Sequence, residues 1–565
     1  MTPRQNCARR VSGALLGGLV LALAEPALAG GKSPPAPAIA PDLSSAPADN
    51  KAAPAPAAKP AANPAPTATA SATDGGAPAD LPPGQKPDEA KAASGDQAQA
   101  AAKPPPPAKD ENFDGALAKH FKGQYVQAAA EFFSYIKGSA RTADRYEWAE
   151  HFLSMDLDAL GFKQAALQYE VFVAEERARP EVLPDALGHI EDIINNNPYP
   201  HDLVEDELLH GTDFGPLPAG PRSFVSYYQG LVDYRLGMTK WGDKRFAKVD
   251  ADSPYAARVS YLKAVYTMVH DRDDAKAKAQ FDAIAKDEHA PRALRNQAIM
   301  ALARLAYEAK DYQGSFDLWG KVKVPELDPG RAPIYLERAW NLYRLKHYGD
   351  AMGLLYALEA PSFKDVFLPD KFVLRSLIYK DLCHYLPAKR SAREYSRRYA
   401  TSLRTIKNRD PLSGDPKLMA AAIQVDDEYG EAHKLHDEVT TERERIDRYA
   451  SPWADSGLAN ELQRIYGLAE AQASRHEEVA RDNALNQTAD RLLAEEEQLR
   501  LEDYEVGLAM YARLKRGRVV TDAPKPDVVA PDEVVYPFDN EYWNDELHDF
   551  HLFITTRCLE QEAVQ

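Results

Sequence analysis

His433 and His436 stand three residues apart in HKLHDE, and His548 and His551 repeat that spacing in HDFH. Imidazoles so placed share one helix face and could meet at a metal ion, but zinc needs at least a third protein ligand. Neither pair has one at a useful spacing, and HExxH is missing, so both read as solvated histidines and no metal site is expected. There is also no GxSxG elbow and no GxxxxGK[ST] loop, the signatures of serine-hydrolase and nucleotide-phosphate chemistry. Among 86 acidic residues no pair stands out as an acid and a base. The expectation is a chain that is not an enzyme and carries no cofactor. Of the three cysteines, Cys383 and Cys558 follow the targeting segment and form a candidate disulfide in an oxidising compartment; a free buried thiol is the alternative at Cys383. A formal net charge of −18 argues against nucleic acid, which calls for a basic patch or domain.

The compartment follows from the first residues. Arg4, Arg9 and Arg10 precede the apolar run GALLGGLVLALA, and PALAG then offers Ala27 and Ala29 as small residues before a cut. Residues 1–29 therefore read as a secretory signal peptide. The apolar run falls short of the roughly 20 residues a spanning helix needs, which leaves a retained anchor as the weaker reading. No later apolar span occurs, so the mature chain is expected to be exported, periplasmic and without a transmembrane span. The 6 Trp, 28 Tyr and 18 Phe all lie beyond residue 112. Residues 30–112, built of pieces such as PAPAAKPAANPAP, cannot offset the entropy of folding and are expected to be a disordered Pro/Ala-rich linker, either a spacer or a solubilising tail.

Something must position whatever the rest of the chain binds, and residues 113–400 are patterned as helices throughout. One constellation recurs there: an aromatic or its substitute, a small residue three later, and usually a large ring four beyond. Its small residues are Ala128, Ala165, Gly242, Ala277, Ser315, Ala351 and Ala388, stepping by 37, 77, 35, 38, 36 and 37 residues. A second small residue often precedes by twelve, as at Ala116, Gly230, Ala303, Ala339 and Ser376. Two antiparallel helices approach closely only where each is small at the crossing. The long step hides a decayed repeat or an insertion, and the prolines and glycines at 215–221 suggest a surface loop.

On these residues, best seen in ALARLAYEAKDYQGSFDLW and ERAWNLYRLKHYGDAMGLL, the chain resembles the tetratricopeptide-repeat family. The resemblance covers about half the chain and implies a helical-hairpin solenoid whose first helices line a concave, protein-binding groove. In the family's register the groove residues are Tyr227, Tyr234, Arg304, Tyr307, Trp340 and Tyr343. The other reading of such aromatic stripes is core.

Residues 415–517 are charged helix formers divided by Pro452, a long helical hairpin or coiled-coil region. Leu485, Leu492, Leu499 and Val506 repeat by seven, and Leu501, Tyr504, Leu508 and Tyr511 form a neighbouring row. Two offset stripes imply burial against more than one helix, which favours docking on the solenoid over a free dimeric coil. Residues 518–565 read as an extended tail with an aromatic end, YPFDNEYWNDELHDFHLFITTRC, in which Phe550, Leu552 and Ile554 alternate like a strand. That end either docks on the helical body or recruits a partner by strand addition. The ordering of these parts resembles large periplasmic repeat proteins of gliding bacteria, of the adventurous gliding-motility type.

The fold class expected is thus all-α: a tetratricopeptide-like solenoid, then long charged helices, behind a disordered linker. The function expected is a non-enzymatic scaffold of the bacterial cell envelope with protein partners, its oligomeric state open; a mechanical spacer is the alternative, and an envelope enzyme with an unrecognised site the remoter one. Intact mass of the protein from a periplasmic fraction should correspond to a chain beginning near Gly30. A mass that retains residues 1–29 refutes the signal reading.

Overall fold

The computed structural model describes residues 110–176, 179–516, 541–543 and 546–558, all within one unit. The signal peptide and nearly all of the linker expected from the sequence lie outside the described residues, as do residues 517–540 of the tail. Among the described residues the structure is all-helical, with no β-strand. Helices pair as α1 (Glu111–His120) with α2 (Tyr125–Gly138) and α3 (Tyr146–Ala159) with α4 (Lys163–Glu176); α5 (Leu183–Asn196) then packs on α4, and a π-helical stretch, Asp202–His210, lies chiefly on the helix that follows it. Then come α6 (Ala219–Arg235) with α7 (Thr239–Phe246), α8 (Pro254–Tyr266) with α9 (Asp274–Lys286), and α10 (Arg292–Glu308) with α11 (Tyr312–Trp319). Two more pairs follow, α12 (Arg331–Arg344) with α13 (Tyr348–Ala357) and α14 (Asp370–Asp381) with α15 (Tyr385–Arg398). The first helix starts ahead of Phe113 because Asp110 caps it, accepting from Asn112 N and Phe113 N.

The period is a backbone motif before it is a packing motif. Each first helix of seven hairpins is followed by a residue in the left-handed region: Gly123, Gly161, Gly237, Arg272, Lys310, Lys346 or Cys383. At Lys310, for example, its own N–H donates to Tyr307 O at 2.9 Å while Asp311 N donates to Ala306 O at 2.9 Å. The same two bonds close the helices before Gly123, Gly161, Gly237, Lys346 and Cys383. This Schellman closure satisfies carbonyls that the helix end would otherwise orphan. The small crossing residue lies five positions after the left-handed one, and these residues are buried.

That frame corrects the second copy, where Ala166 rather than Ala165 holds the crossing place five residues after Gly161. The long gap is then two periods, filled by α5 and the π-helical stretch, which pack chiefly on α4 and α6, with a loop at 211–218. The close approach is plain between α6 and α7. A Cβ on Gly230 would stand 2.4 Å from Phe246 Cε1, and one on Gly242 2.4 Å from Tyr234 Cδ2.

Four more helices follow: α16 (Ala400–Asn408), α17 (Pro416–Val425), α18 (Asp427–Arg445) and the 58-residue α19 (Leu458–Lys515). At 1.5 Å per residue α19 is about 87 Å long. It packs along α18, reaches α4 with its first half, and lies on α14 to α17 with its second. The closure on α4 is polar and buried. Glu442 of α18 accepts from Lys163 N at 2.9 Å and Gln164 N at 3.1 Å, while Ala165 N donates to Tyr466 OH at 3.2 Å. The Tyr466 hydroxyl donates in turn to Glu442. Between α18 and α19 the fully buried Trp453 donates its indole N–H to Val126 O at 2.9 Å. At the other end Tyr395 OH donates to Leu492 O at 2.6 Å, and Arg491 pairs with Asp370 at 2.9 Å.

Of the two stripes on α19, Leu485, Leu492, Leu499 and Val506 are buried against these neighbours. Leu501, Tyr504, Leu508 and Tyr511 are not; the structure corrects the expectation that both stripes are covered.

Burial, then the neighbouring Glu442, pushes the Glu438 carboxyl up to about 7. The folded state therefore holds a proton that the unfolded chain releases near its ordinary 4.5, so this group's penalty grows as pH rises from about 4.5 to 7. Thermal melts of Glu438→Gln should show a smaller loss of stability across that window than the parent. An unchanged pH slope would mean that the fold does not hold a proton on Glu438.

Candidate functional site

The helices up to α5 carry polar residues on faces that should be apolar. In α3, Glu147, Glu150, His151, Ser154 and Asp156 are buried beside Ala149, Leu153 and Leu157. His151 Nδ1 lies 2.9 Å from Glu170 Oε1 of α4, and His189 Nδ1 of α5 lies 2.7 Å from the same oxygen. Ser154 Oγ donates to Ala166 O at 2.8 Å and sits 3.3 Å from His189 Nδ1. Asp158 Oδ2 stands 3.6 Å from His189 Nε2. Burial would raise the Glu170 carboxyl, but His151 and His189 outweigh it and hold it below the usual range. Against the same burial, Asp158 and Glu170 push His189 up to about 9. One turn further, burial pushes Asp156 up to about 8, and burial with His151 lowers His120, so the 2.8 Å contact of Asp156 with His120 joins groups biased toward neutrality.

This cluster was missed in the sequence because its members come from three helices. The available signal was polar residues at buried phases of an otherwise apolar helix. The histidine pairs that were singled out are not merely solvated. His433 Nδ1 lies 2.7 Å from Glu477 Oε1 of α19, and His436 meets the other oxygen of that carboxylate. His551 contacts Asp350 at 2.6 Å and His548 pairs with Asp549 at 3.1 Å.

The residues assigned to a groove serve contacts within the chain. Tyr227 is fully buried, stacked 4.9 Å from Tyr255, and belongs to the core, a correction to its groove assignment. Tyr234 OH donates to Asp243 at 2.9 Å, and the Arg304 guanidinium lies over Trp319 at 5.6 Å. Tyr307 and Tyr343 occupy the same place in successive repeats, three residues before the left-handed position, and each bonds to the next hairpin. Arg344 Nε donates to Tyr307 OH at 2.9 Å, and Tyr343 OH donates to Asp381 Oδ2 at 2.8 Å. Trp340 meets Tyr343 edge-on at 5.9 Å.

Trp340 and Tyr343 also pack in one cluster with Tyr542, Phe550, Leu552 and Ile554, so the tail end lies on the helical body. Phe550, Leu552 and Ile554 face that cluster while Phe553 between them is exposed. Leu552 N donates to Gly349 O at 3.0 Å, Arg557 N donates to Leu382 O at 2.9 Å, and a disulfide joins Cys383 to Cys558. The backbone approaches α13 this closely because α13 is bare there. A Cβ on Gly353 would stand 1.6 Å from Phe550 O, and one on Gly349 2.4 Å from His551 Cε1.

No protein family and no curated protein matches the chain. A solved structure of a Rap protein complexed with competence and sporulation factor aligns with 66% of this chain and 99% of its own at 13% identity, but with a TM-score of 0.25 it carries no argument.

Gly353→Ala must push the tail off α13, an overpacking cost of about 1–3 kcal/mol. After reduction of the Cys383–Cys558 bond, residues 541–558 of this variant should be cut by protease well before those of the parent. Equal protection would mean the tail is held elsewhere.

Proposed function

We propose that the chain is a non-enzymatic protein-interaction scaffold of the bacterial cell envelope, docking through the second half of α19. The observation that carries this is the exposed row. Leu501, Tyr504, Leu508 and Tyr511 are 52%, 64%, 51% and 65% exposed on a helix whose other stripe is packed. Spacings of three and four place them on one seam, and tyrosine is enriched at binding hot spots. The presumed groove residues, by contrast, are largely engaged by neighbouring hairpins and the tail. Export is supported by the signal-like residues 1–29, and the likeness to gliding-motility repeat proteins suggests a motility or envelope-assembly complex as the setting.

The occupant is a helix of a second copy. Antiparallel pairing about a two-fold axis near residue 506 sets Leu501 against the partner's Tyr511 and Tyr504 against the partner's Leu508. The same register brings Glu497 to the partner's Lys515, and both are exposed in one copy. A row whose apolar and charged residues match themselves in register suits an isologous contact. Its length, three turns of helix, fits the small end of specific interfaces and a dissociation constant of about 1–100 µM. The spacer reading keeps one observation in its favour, since α19 braces both the first hairpins and the last.

Sedimentation equilibrium of the mature chain should show a reversible dimer. Tyr504→Glu with Leu508→Glu should leave it monomeric with an unchanged melting temperature. Glu497→Lys should weaken pairing, and adding Lys515→Glu should restore it. A chain that stays monomeric at about 200 µM overturns self-pairing and leaves residues 517–540 or a different protein to cover the row.

A further inference from the structure

Two nitrogens and one oxygen converge where α3, α4 and α5 meet. His151 Nδ1, a Glu170 carboxylate oxygen and His189 Nδ1 all lie within 4.8 Å of one another. Glu170 is fully buried and His151 is 5% exposed, on helices whose Leu153, Leu157, Ala166, Ala186 and Ile190 are buried as well. Here two imidazoles, from helices on either side, aim the same ring nitrogen at a single oxygen. The far nitrogen of His189 faces Asp158, the place of the outer carboxylate that orients a metal-bound imidazole. The His189 side chain is 14% exposed, which gives an ion a way in and leaves one side open to solvent.

We propose that His151, Glu170 and His189 form a zinc site, with water in the fourth position on the His189 side. Two imidazoles and a carboxylate are a donor set that zinc accepts in tetrahedral geometry, whereas magnesium and calcium favour all-oxygen shells. Bonds of about 2.0–2.2 Å require ligand atoms roughly 3.3 Å apart, so the present contacts of 2.7 and 2.9 Å must open by about half an ångström. The ion takes the lone pair of each Nδ1. A neutral ring moves its proton to Nε2, which in His189 then points at Asp158, and a protonated ring releases one proton to solvent. The bound ion ties the helices of the second hairpin to α5. This site is separate from the α19 row, and its test does not depend on dimerisation.

Untagged mature chain, stripped with chelator, is titrated with zinc chloride by calorimetry and with cobalt(II) by visible absorption. One equivalent should bind at a dissociation constant of about 1 µM or below, and cobalt should give the intense visible bands of four-coordinate geometry. Glu170→Gln and His189→Gln should each weaken binding at least about 100-fold, and Asp158→Asn about 10–100-fold. His433→Ala with His436→Ala should leave it unchanged. Because Glu170 is buried, circular dichroism accompanies every variant, and His189→Gln at the partly exposed position decides if Glu170→Gln unfolds. Absence of stoichiometric zinc overturns the proposal. So does zinc that survives His189→Gln or is lost with His433 and His436.

Discussion

A helix start inside the stack is capped by residues some 280 to 300 positions later in the chain. The N–H groups of Lys163, Gln164 and Ala165 have no partner within α4, and the positive end of the helix favours an anion there. Glu442 and Tyr466 supply the carboxylate and the hydroxyl, and both are buried. A buried carboxylate is costly unless fully hydrogen-bonded, so the two backbone N–H groups and the tyrosine hydroxyl are needed together. Stacks of helical pairs ordinarily hold by nearest-neighbour contacts alone. Here α18 and α19 carry a contact from the second hairpin to the last, so early and late hairpins share one fate. Trp453 on Val126 and Arg491 on Asp370 fix the two ends of that brace.

Within the stack, the left-handed residue sets everything else in a repeat. It fixes the turn, the turn fixes the start of the second helix, and the crossing residue follows five positions on. Glycine holds this place in the early hairpins, where a positive φ costs nothing. Arg272, Lys310, Lys346 and Cys383 hold it later despite a penalty of about 1 kcal/mol for a side chain in that region. Cys383 turns the strain to use, because the left-handed turn presents its sulfur to the tail, where the bond to Cys558 forms.

The repeat was legible because close helix approach demands small residues, and Ala128, Gly242, Ala277, Ser315, Ala351 and Ala388 could be read directly. The slip by one at Ala165 has a plain cause: its neighbour Ala166 is identical, and only the backbone at Gly161 chooses between them. The groove was not legible. A register gives the helix face on which Tyr307 or Tyr343 lies, but not whether the next hairpin reaches back with Arg344 or Asp381. Tyr227 shows the same limit, since its phase says nothing of Tyr255 stacked upon it. The His151–Glu170–His189 cluster escaped because three helices each contribute one residue, and no spacing along one helix marks such a set.

The brace and the exposed row belong to one helix, and that bears on what the row can do. An isolated helix is marginal in water, and most helical stability comes from packing of one face. The second half of α19 is packed through Leu492, Leu499 and Val506, with Lys380 and Lys389 pairing to Glu505 and Asp503 beside them. Leu501, Tyr504, Leu508 and Tyr511 are therefore displayed on a helix already ordered, and a partner need not supply the entropy of forming it. Two tyrosines add large contact area with few rotatable bonds. A short seam of this kind could not hold two flexible segments together. On a pre-ordered helix it can pair two copies weakly and in one register: an antiparallel pair sets Glu497 opposite Lys515, whereas a parallel pair would set like charges together at each end.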